Sequence, residues 1–237
     1  EQTIINYPHI NIQQVLLPSK AKFTRADVRI KGTNIAYVMG AGDIIPESLK
    51  QMGYEVTILK PTDIAPERLQ EFDAVIMGIR AYNTLEMLAF KQDALLQYVN
   101  NGGTMITLYN TTGALTVKEP GPYHLRISRD RVTDEDAKVT FLDPANRLLN
   151  YPNKITENDF KGWVQEQGLY YPDEWAPEYT PLISAHDAGE PDQKGGLLVA
   201  KYGKGYYIYT GLSFFRQLPE GVSGAYRIMA NLIAAGK

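Results

Sequence analysis

The stretch from Phe72 to Asn110 constrains this chain most. Asp73-Ala-Val-Ile-Met77 is a short apolar run of the kind that forms a strand buried on both faces. Gly78-Ile-Arg-Ala-Tyr-Asn83 breaks it with a glycine and polar or aromatic groups. From Thr84, a fair N-cap, Leu85, Leu88, Ala89, Leu95, Leu96 and Val99 recur at helical spacing, and Asn101-Gly102-Gly103 stops the helix. Thr104-Met-Ile-Thr-Leu108 reads as the next strand. Strand, crossover helix and strand of these lengths make a right-handed βαβ unit in a parallel sheet. Ligands of such sheets sit beyond the C-terminal strand ends, which here are Arg80 to Asn83 and Tyr109 to Thr112.

The flanks extend the pattern. Asn34 to Met39 is a first strand, followed by Gly40-Ala-Gly-Asp43 and a helix over 45–52 with Pro46 in its first turn. Tyr54 to Leu59 is the second strand, and 65–71 a short helix. The order β-α-β-α-β-α-β over 34–110 predicts a flavodoxin-like, doubly wound, mainly parallel sheet. Residues 111–190 carry recurrent proline, glycine and aspartate with short apolar runs. They predict an insertion, about 113–195, of short strands and turns over one end of the sheet. Gly196 to Tyr202 and Gly205 to Thr210 flank Gly203-Lys204 as a hairpin, and 223–235 is a closing amphipathic helix. Residues 1–31 do not start such a fold. Strands over 10–17 and 26–30, separated by Pro18 and a basic turn, read as a linker or a strand from a preceding domain, leaving 32–237 as the α/β domain. The chain begins at Glu1 without a methionine, as a piece of a longer or processed protein would.

Among 237 residues the net charge is −3 and the basic residues are scattered, so no stripe tracks a nucleic-acid backbone. No apolar run approaches the roughly 20 residues of a membrane span. With no cysteine there is no disulfide, thiolate metal site or cysteine nucleophile. His9, His124 and His186 lie far apart without ligand spacing, so neither metal nor cofactor is expected. Gly40-Ala-Gly-Asp43 lacks the third glycine of a dinucleotide fingerprint and the lysine of a P-loop, which favours a sharp turn with Asp43 as helix cap. Arg129 and Arg131 alternate along a candidate strand, where they would clamp a carboxylate or phosphate; the simpler reading is an ion-pair network with Asp130, Asp134, Glu135 and Asp136. Trp163 and Trp175, with Tyr170, Tyr171 and Tyr179, suit either a sugar-stacking platform or packing of the insertion.

These motifs together carry a resemblance. The strand–helix–glycine–strand unit, the hairpin and Gly211 to Arg216 look like the class I glutamine amidotransferase-like fold. Tyr37 to Asp43, Gly78 to Asn83, Leu125 to Thr133, Asn150 to Ile155, Gly162 to Glu166 and Leu212 to Leu218 further resemble the C-terminal domain of large bacterial PIG-L (LmbE-like) deacetylases. In that family an N-terminal zinc-dependent domain deacetylates N-acetylglucosamine-type sugars through a His-Pro-Asp-Asp motif, which this chain lacks. The resemblance implies a periplasmic or secreted setting and a deacetylase domain of the same parent chain as partner. Amidotransferase chemistry needs a cysteine after the strand ending at Leu108 and a histidine after a late strand. Those places hold Tyr109 and Asn110, then Ser213 to Arg216.

The expected function is therefore a non-catalytic accessory domain that binds glycan or supports the deacetylase. The candidate crevice gathers Asp43, Arg80, Tyr82, Asn83, Asn110, Arg129, Arg131, Trp163 and Arg216. Two alternatives stay open: a carbohydrate hydrolase with Asp43 or Glu166 as general base, and a purely structural interaction module.

Overall fold

A computed structural model of the chain describes residues 2–19 and 22–237; the expected basic turn after Pro18 includes Lys20 and Ala21, which lie outside the described residues. In chain order the strands are β1 (Gln2–Ile5), β2 (Gln13–Leu16), β3 (Asn34–Val38), β4 (Glu55–Ile58), β5 (Ala74–Met77), β6 (Thr104–Leu108), β7 (Leu125–Val132), β8 (Thr140–Phe141), β9 (Gly168–Trp175), β10 (Tyr179–Pro181), β11 (Ile183–Ser184), β12 (Leu197–Tyr202) and β13 (Gly205–Thr210). The helices are α1 (Ile45–Gln51), α2 (Pro66–Leu69), α3 (Ala81–Thr84), α4 (Gln92–Asn100), α5 (Arg147–Asn150), α6 (Phe214–Gln217) and α7 (Ser223–Ile233).

Seven strands form one sheet in the order β10-β12-β13-β6-β5-β3-β4. The five from β13 to β4 are parallel, and β12 and β10 continue the sheet in antiparallel pairs. This is the flavodoxin-like, doubly wound sheet the sequence pattern predicts. Every residue of β5 and β6 is buried, because helices cover both faces of the sheet. Alternation sorts the strand residues into two layers. Ile35, Tyr37, Ile76, Ile106 and Ile208 pack with Leu49 of α1 and Ile228 and Leu232 of α7. Ala36, Val38, Val75, Met77 and Met105 pack with Leu95 and Val99 of α4 on the other side.

Strand order reverses between β3 and β5, so the loops leaving these two strands border the switch point where ligands of such sheets bind. The two loops are pressed together. The Ala41 amide donates to the Ile79 carbonyl at 2.9 Å, and a Cβ on Gly40 would stand 2.2 Å from that same oxygen.

Three expectations change. The helix over 84–99 is broken into α3, a 3-10 turn over Glu86–Phe90, and α4. Thr84 ends α3 and donates to the Arg80 carbonyl at 3.0 Å instead of capping a longer helix. The expected strand over 26–30 joins no ladder; the Arg29 amide and carbonyl bond the buried Asn153 side chain instead, at 2.9 and 2.8 Å. The insertion holds more than short strands, because β7 and β9 form an eight-residue-long antiparallel ribbon, bulged between Ile127 and Asp130. Asn231 of α7 ties the insertion to the core, accepting from the Asn153 amide and donating to the Leu148 and Asn153 carbonyls at 2.7–2.9 Å. At the other extreme, β1 and β2 make a separate and largely exposed hairpin.

Candidate functional site

Each strand that reaches the switch point delivers a short loop. After β5, the chain turns into α3 at Arg80, which adopts the left-handed conformation at φ 57°. Its amide donates to the Tyr109 carbonyl at 2.8 Å, so the backbone is pinned while the side chain projects into solvent. Two further non-glycine residues have positive φ among those described, Gln165 at 67° and Tyr170 at 53°. Both belong to the insertion where it crosses this end of the sheet. A non-glycine residue in this region costs on the order of 1 kcal/mol or more, and such strain concentrates at binding and catalytic sites. Sequence reasoning finds Arg80 but not the other two, whose conformations follow from long-range pairing.

The insertion is fixed here by backbone bonds. The Leu169 amide donates to the Gly211 carbonyl at 2.9 Å, and the Tyr209 hydroxyl donates to the Tyr170 carbonyl at 3.2 Å. Tyr170 thereby lies over Tyr109, their rings nearly parallel at 9° with centroids 5.9 Å apart. Phe215 closes the group at 5.3 Å from Tyr109. Glu166 follows the tight turn at Gln165 and accepts from Nε of Arg216 at 3.0 Å, while the Arg216 guanidinium lies 4.7 Å above the Phe215 ring.

Tyr109 directly follows β6, at the strand end where the sequence pattern places ligands and where the family resemblance would put a nucleophile. Burial pushes its phenol above the ordinary value, while Arg80 and Arg216 draw it back, so the hydroxyl lies in the field of both cations. Arg216 is neutralised by Glu166, whereas Arg80 has no ion-pair partner among the described residues.

The other predicted residues divide clearly. Asp43 sits beside this group, but Tyr37 donates to its two oxygens at 2.8 Å and the Ile45 amide to one at 3.0 Å. Burial raises its carboxyl above the ordinary range, opposed by the Tyr37 hydrogen bond and the Ile45 and Ile79 amides. Asn110 is wholly buried, accepting from the Tyr82 amide at 3.0 Å and donating to the Leu108 carbonyl at 3.0 Å. Asn83 accepts from the Thr111 amide at 2.8 Å. These two asparagines fasten the loops after β5 and β6 to each other. Tyr82 is wholly buried and its hydroxyl donates to Gln92. Trp163 is 3% exposed, stacked on Phe160 and donating to the Asp159 carbonyl, so it has no free face for a sugar. Arg129, in the ribbon bulge, and Arg131 are exposed. The expected ion-pair network does not form around them. Arg126 pairs instead with Asp173 and Glu174 across the ribbon, while Asp134 accepts from the Asp136 amide.

Ser213 is buried too, donating to the Glu166 carbonyl at 2.6 Å and accepting from Gln217 at 2.8 Å. The Asn110 amide and the Ser213 hydroxyl are thus both engaged within the fold. His124 stands 2.8 Å from Glu119 and 3.5 Å from Glu174. Among the described residues no group of three or more His, Asp or Glu is placed to hold a metal ion. The larger surface depressions lie away from the switch point. One of about 530 Å³ borders the start of α7, but its Arg227 is already paired with Asp159 at 2.7 Å and its Lys22 with Glu220 at 3.5 Å.

No family model and no curated protein sequence matches the chain. Solved structures do. The cytoplasmic protein STM3548 from Salmonella typhimurium is 9% identical, with 87% of this chain and 100% of that one covered at a TM-score of 0.56. The cytoplasmic protein STM1381 from Salmonella typhimurium LT2 is 12% identical, with coverages of 86% and 100% and a TM-score of 0.56. PurLQS from Thermotoga maritima is 10% identical, with coverages of 87% and 100% and a TM-score of 0.55. At such identities the likeness shows the fold alone, which is class I amidotransferase-like.

Proposed function

We propose that this chain is a non-hydrolytic ligand-binding domain on an amidotransferase-like scaffold, an accessory to a PIG-L-type deacetylase of N-acetylglucosamine-like sugars in the same parent chain. The observation that carries this reading is the exchange at the strand ends. Asn110 and Ser213, where chemistry would need free groups, are buried and fully engaged, whereas Arg80 stays open beside an aromatic group of Tyr109, Tyr170 and Phe215. A cation at a fixed backbone position beside ring surfaces suits recognition of a sugar without turnover. Asp43 and Glu166, the carboxylates of a hydrolase reading, are held by Tyr37 and Arg216, which weighs against either as a general base. Thermal unfolding against a panel of amino, neutral and acidic sugars tests the proposal. A ligand at 100 times its Kd contributes about 2.7 kcal/mol to stability, so a selective upward shift is expected. An unchanged midpoint across the panel would overturn it.

A specific observation favours a second, compatible role in domain packing. Residues 2–17 contain no Asp, Glu, Lys or Arg, and Ile4, Ile12 and Leu16 are 59%, 65% and 80% exposed on the β1–β2 hairpin. An isolated two-stranded hairpin is marginal in water, so this one gains from an apolar, uncharged cover. In this reading the deacetylase part of the parent supplies that cover. Comigration of the two separately produced parts in gel filtration, weakened by Leu16→Asp, is the expected result.

A further inference from the structure

We infer that the ligand bound at these strand ends is an acidic sugar, gripped through its carboxylate by Arg80; the inference rests on the glycan-binding reading above and narrows it. The charge balance of the site points there. Glu166 answers Arg216 at 3.0 Å, and Asp43 is occupied by the Tyr37 hydroxyl and the Ile45 amide. Arg80 is left as an exposed guanidinium with no carboxylate within ion-pair distance among the described residues. A neutral sugar would leave this positive charge unanswered, whereas a carboxylate matches the two-pronged donor geometry of a guanidinium.

An unpaired arginine on a surface is ordinarily unremarkable. Arg80 differs in how it is placed. It stands at the switch point of the sheet, in a left-handed turn that few side chains adopt, with its amide fixed to the Tyr109 carbonyl at 2.8 Å. Its backbone position is therefore set by two adjacent strand ends rather than by a mobile loop. The Tyr109 hydroxyl, with no hydrogen-bond partner among the described residues, lies in the field of Arg80 and supplies a donor for a second carboxylate oxygen or a ring hydroxyl. Half-buried Tyr170, stacked on Tyr109, offers apolar surface for the C–H face of a pyranose.

Isothermal titration of the chain with glucuronate, glucose and acetate tests the inference, repeated on Arg80→Gln, Arg80→Lys and Tyr109→Phe. Glucuronate is expected to bind at least 10-fold more tightly than glucose or acetate. Arg80→Gln should weaken it about 10- to 100-fold, the usual worth of a charge-assisted pair. Arg80→Lys, which keeps the charge but not the fork, should fall between, and Tyr109→Phe should lose less than Arg80→Gln. An unfolding midpoint for each variant guards against misfolding, and the lysine and phenylalanine variants keep the test open if the glutamine variant is unstable. Equal binding of glucuronate and glucose, unmoved in Arg80→Gln, would overturn the carboxylate inference and leave glycan binding standing. Binding of neither sugar would overturn both.

Discussion

Replacing Asn110 with alanine should loosen the loops after β5 and β6, and the structure says by how much. The side chain is wholly buried and spans two loops, accepting from the Tyr82 amide and donating to the Leu108 carbonyl, both at 3.0 Å. The Tyr82 amide lies in the first turn of α3, where no intrahelical acceptor exists for it. Truncation leaves that buried donor unsatisfied, at about 1–3 kcal/mol, and removes a second hydrogen bond worth about 1 kcal/mol. The expected loss is about 2–4 kcal/mol. For a domain of this size that lowers Tm by roughly 5–15 °C, and urea denaturation should show a lower midpoint at unchanged slope. Asn110→Asp provides an internal control. Protonated, aspartic acid reproduces both bonds; ionised, it loses the donor and buries a charge, so burial raises its carboxyl above the unfolded value. Its stability relative to the parent is then greatest below about pH 3.9 and falls as pH rises through the folded pKa. An alanine variant within about 0.5 kcal/mol of the parent would show that Asn110 is no brace between the two loops.

Other outcomes follow from the same contacts. Trp163→Ala should cost about 3–5 kcal/mol as a core deletion, while sugar affinity measured on the folded fraction stays unchanged. Gly224→Ala in α7 reverses the usual sign for a helix. Alanine ordinarily gains about 1 kcal/mol over glycine, but a Cβ here would meet the Asp159 carbonyl oxygen at 1.8 Å, so chemical denaturation should show a net loss of about 1–3 kcal/mol. Asp73 accepts from the Thr33 and Asn34 amides and pairs with Lys237. Burial pushes its carboxyl up, but these partners together outweigh it and hold it below the ordinary range. Its contribution is thus present above about pH 3.9 and lost as pH falls through the folded value. The stability gap between the parent and Asp73→Asn should narrow on acidification; a gap that widens would refute the assignment.

The sheet was legible because its signals are local. Runs such as Ala74–Met77 and Thr104–Leu108, each ended by glycine or polar residues, mark strands buried on both faces. Where a residue's role depends on a distant partner, sequence reading misassigned it. Thr84 resembles an N-cap, yet the helix begins earlier because Asn110 takes the Tyr82 amide from 28 positions away. Trp163 and Tyr82 have the residue types of a binding platform but lie in the core, the former against Phe160 and Phe214, the latter against Gln92. Conversely, the stacking of Tyr109, Tyr170 and Phe215 joins three segments with no shared local pattern. Arg80 was legible as a polar residue after a buried strand, and Arg216 as part of a late motif. The pairing of Arg216 with Glu166, which leaves Arg80 as the open cation, depends on the path of the insertion.

Hydrogen exchange, measured with and without the sugar that raises the unfolding midpoint most, locates the site directly. The account predicts slowed exchange in the amides of 78–83, 109–112, 165–171 and 211–216, where the strand ends and the insertion meet. Protection confined to the depression beside Lys161 and Arg227, with the strand ends unchanged, would contradict it.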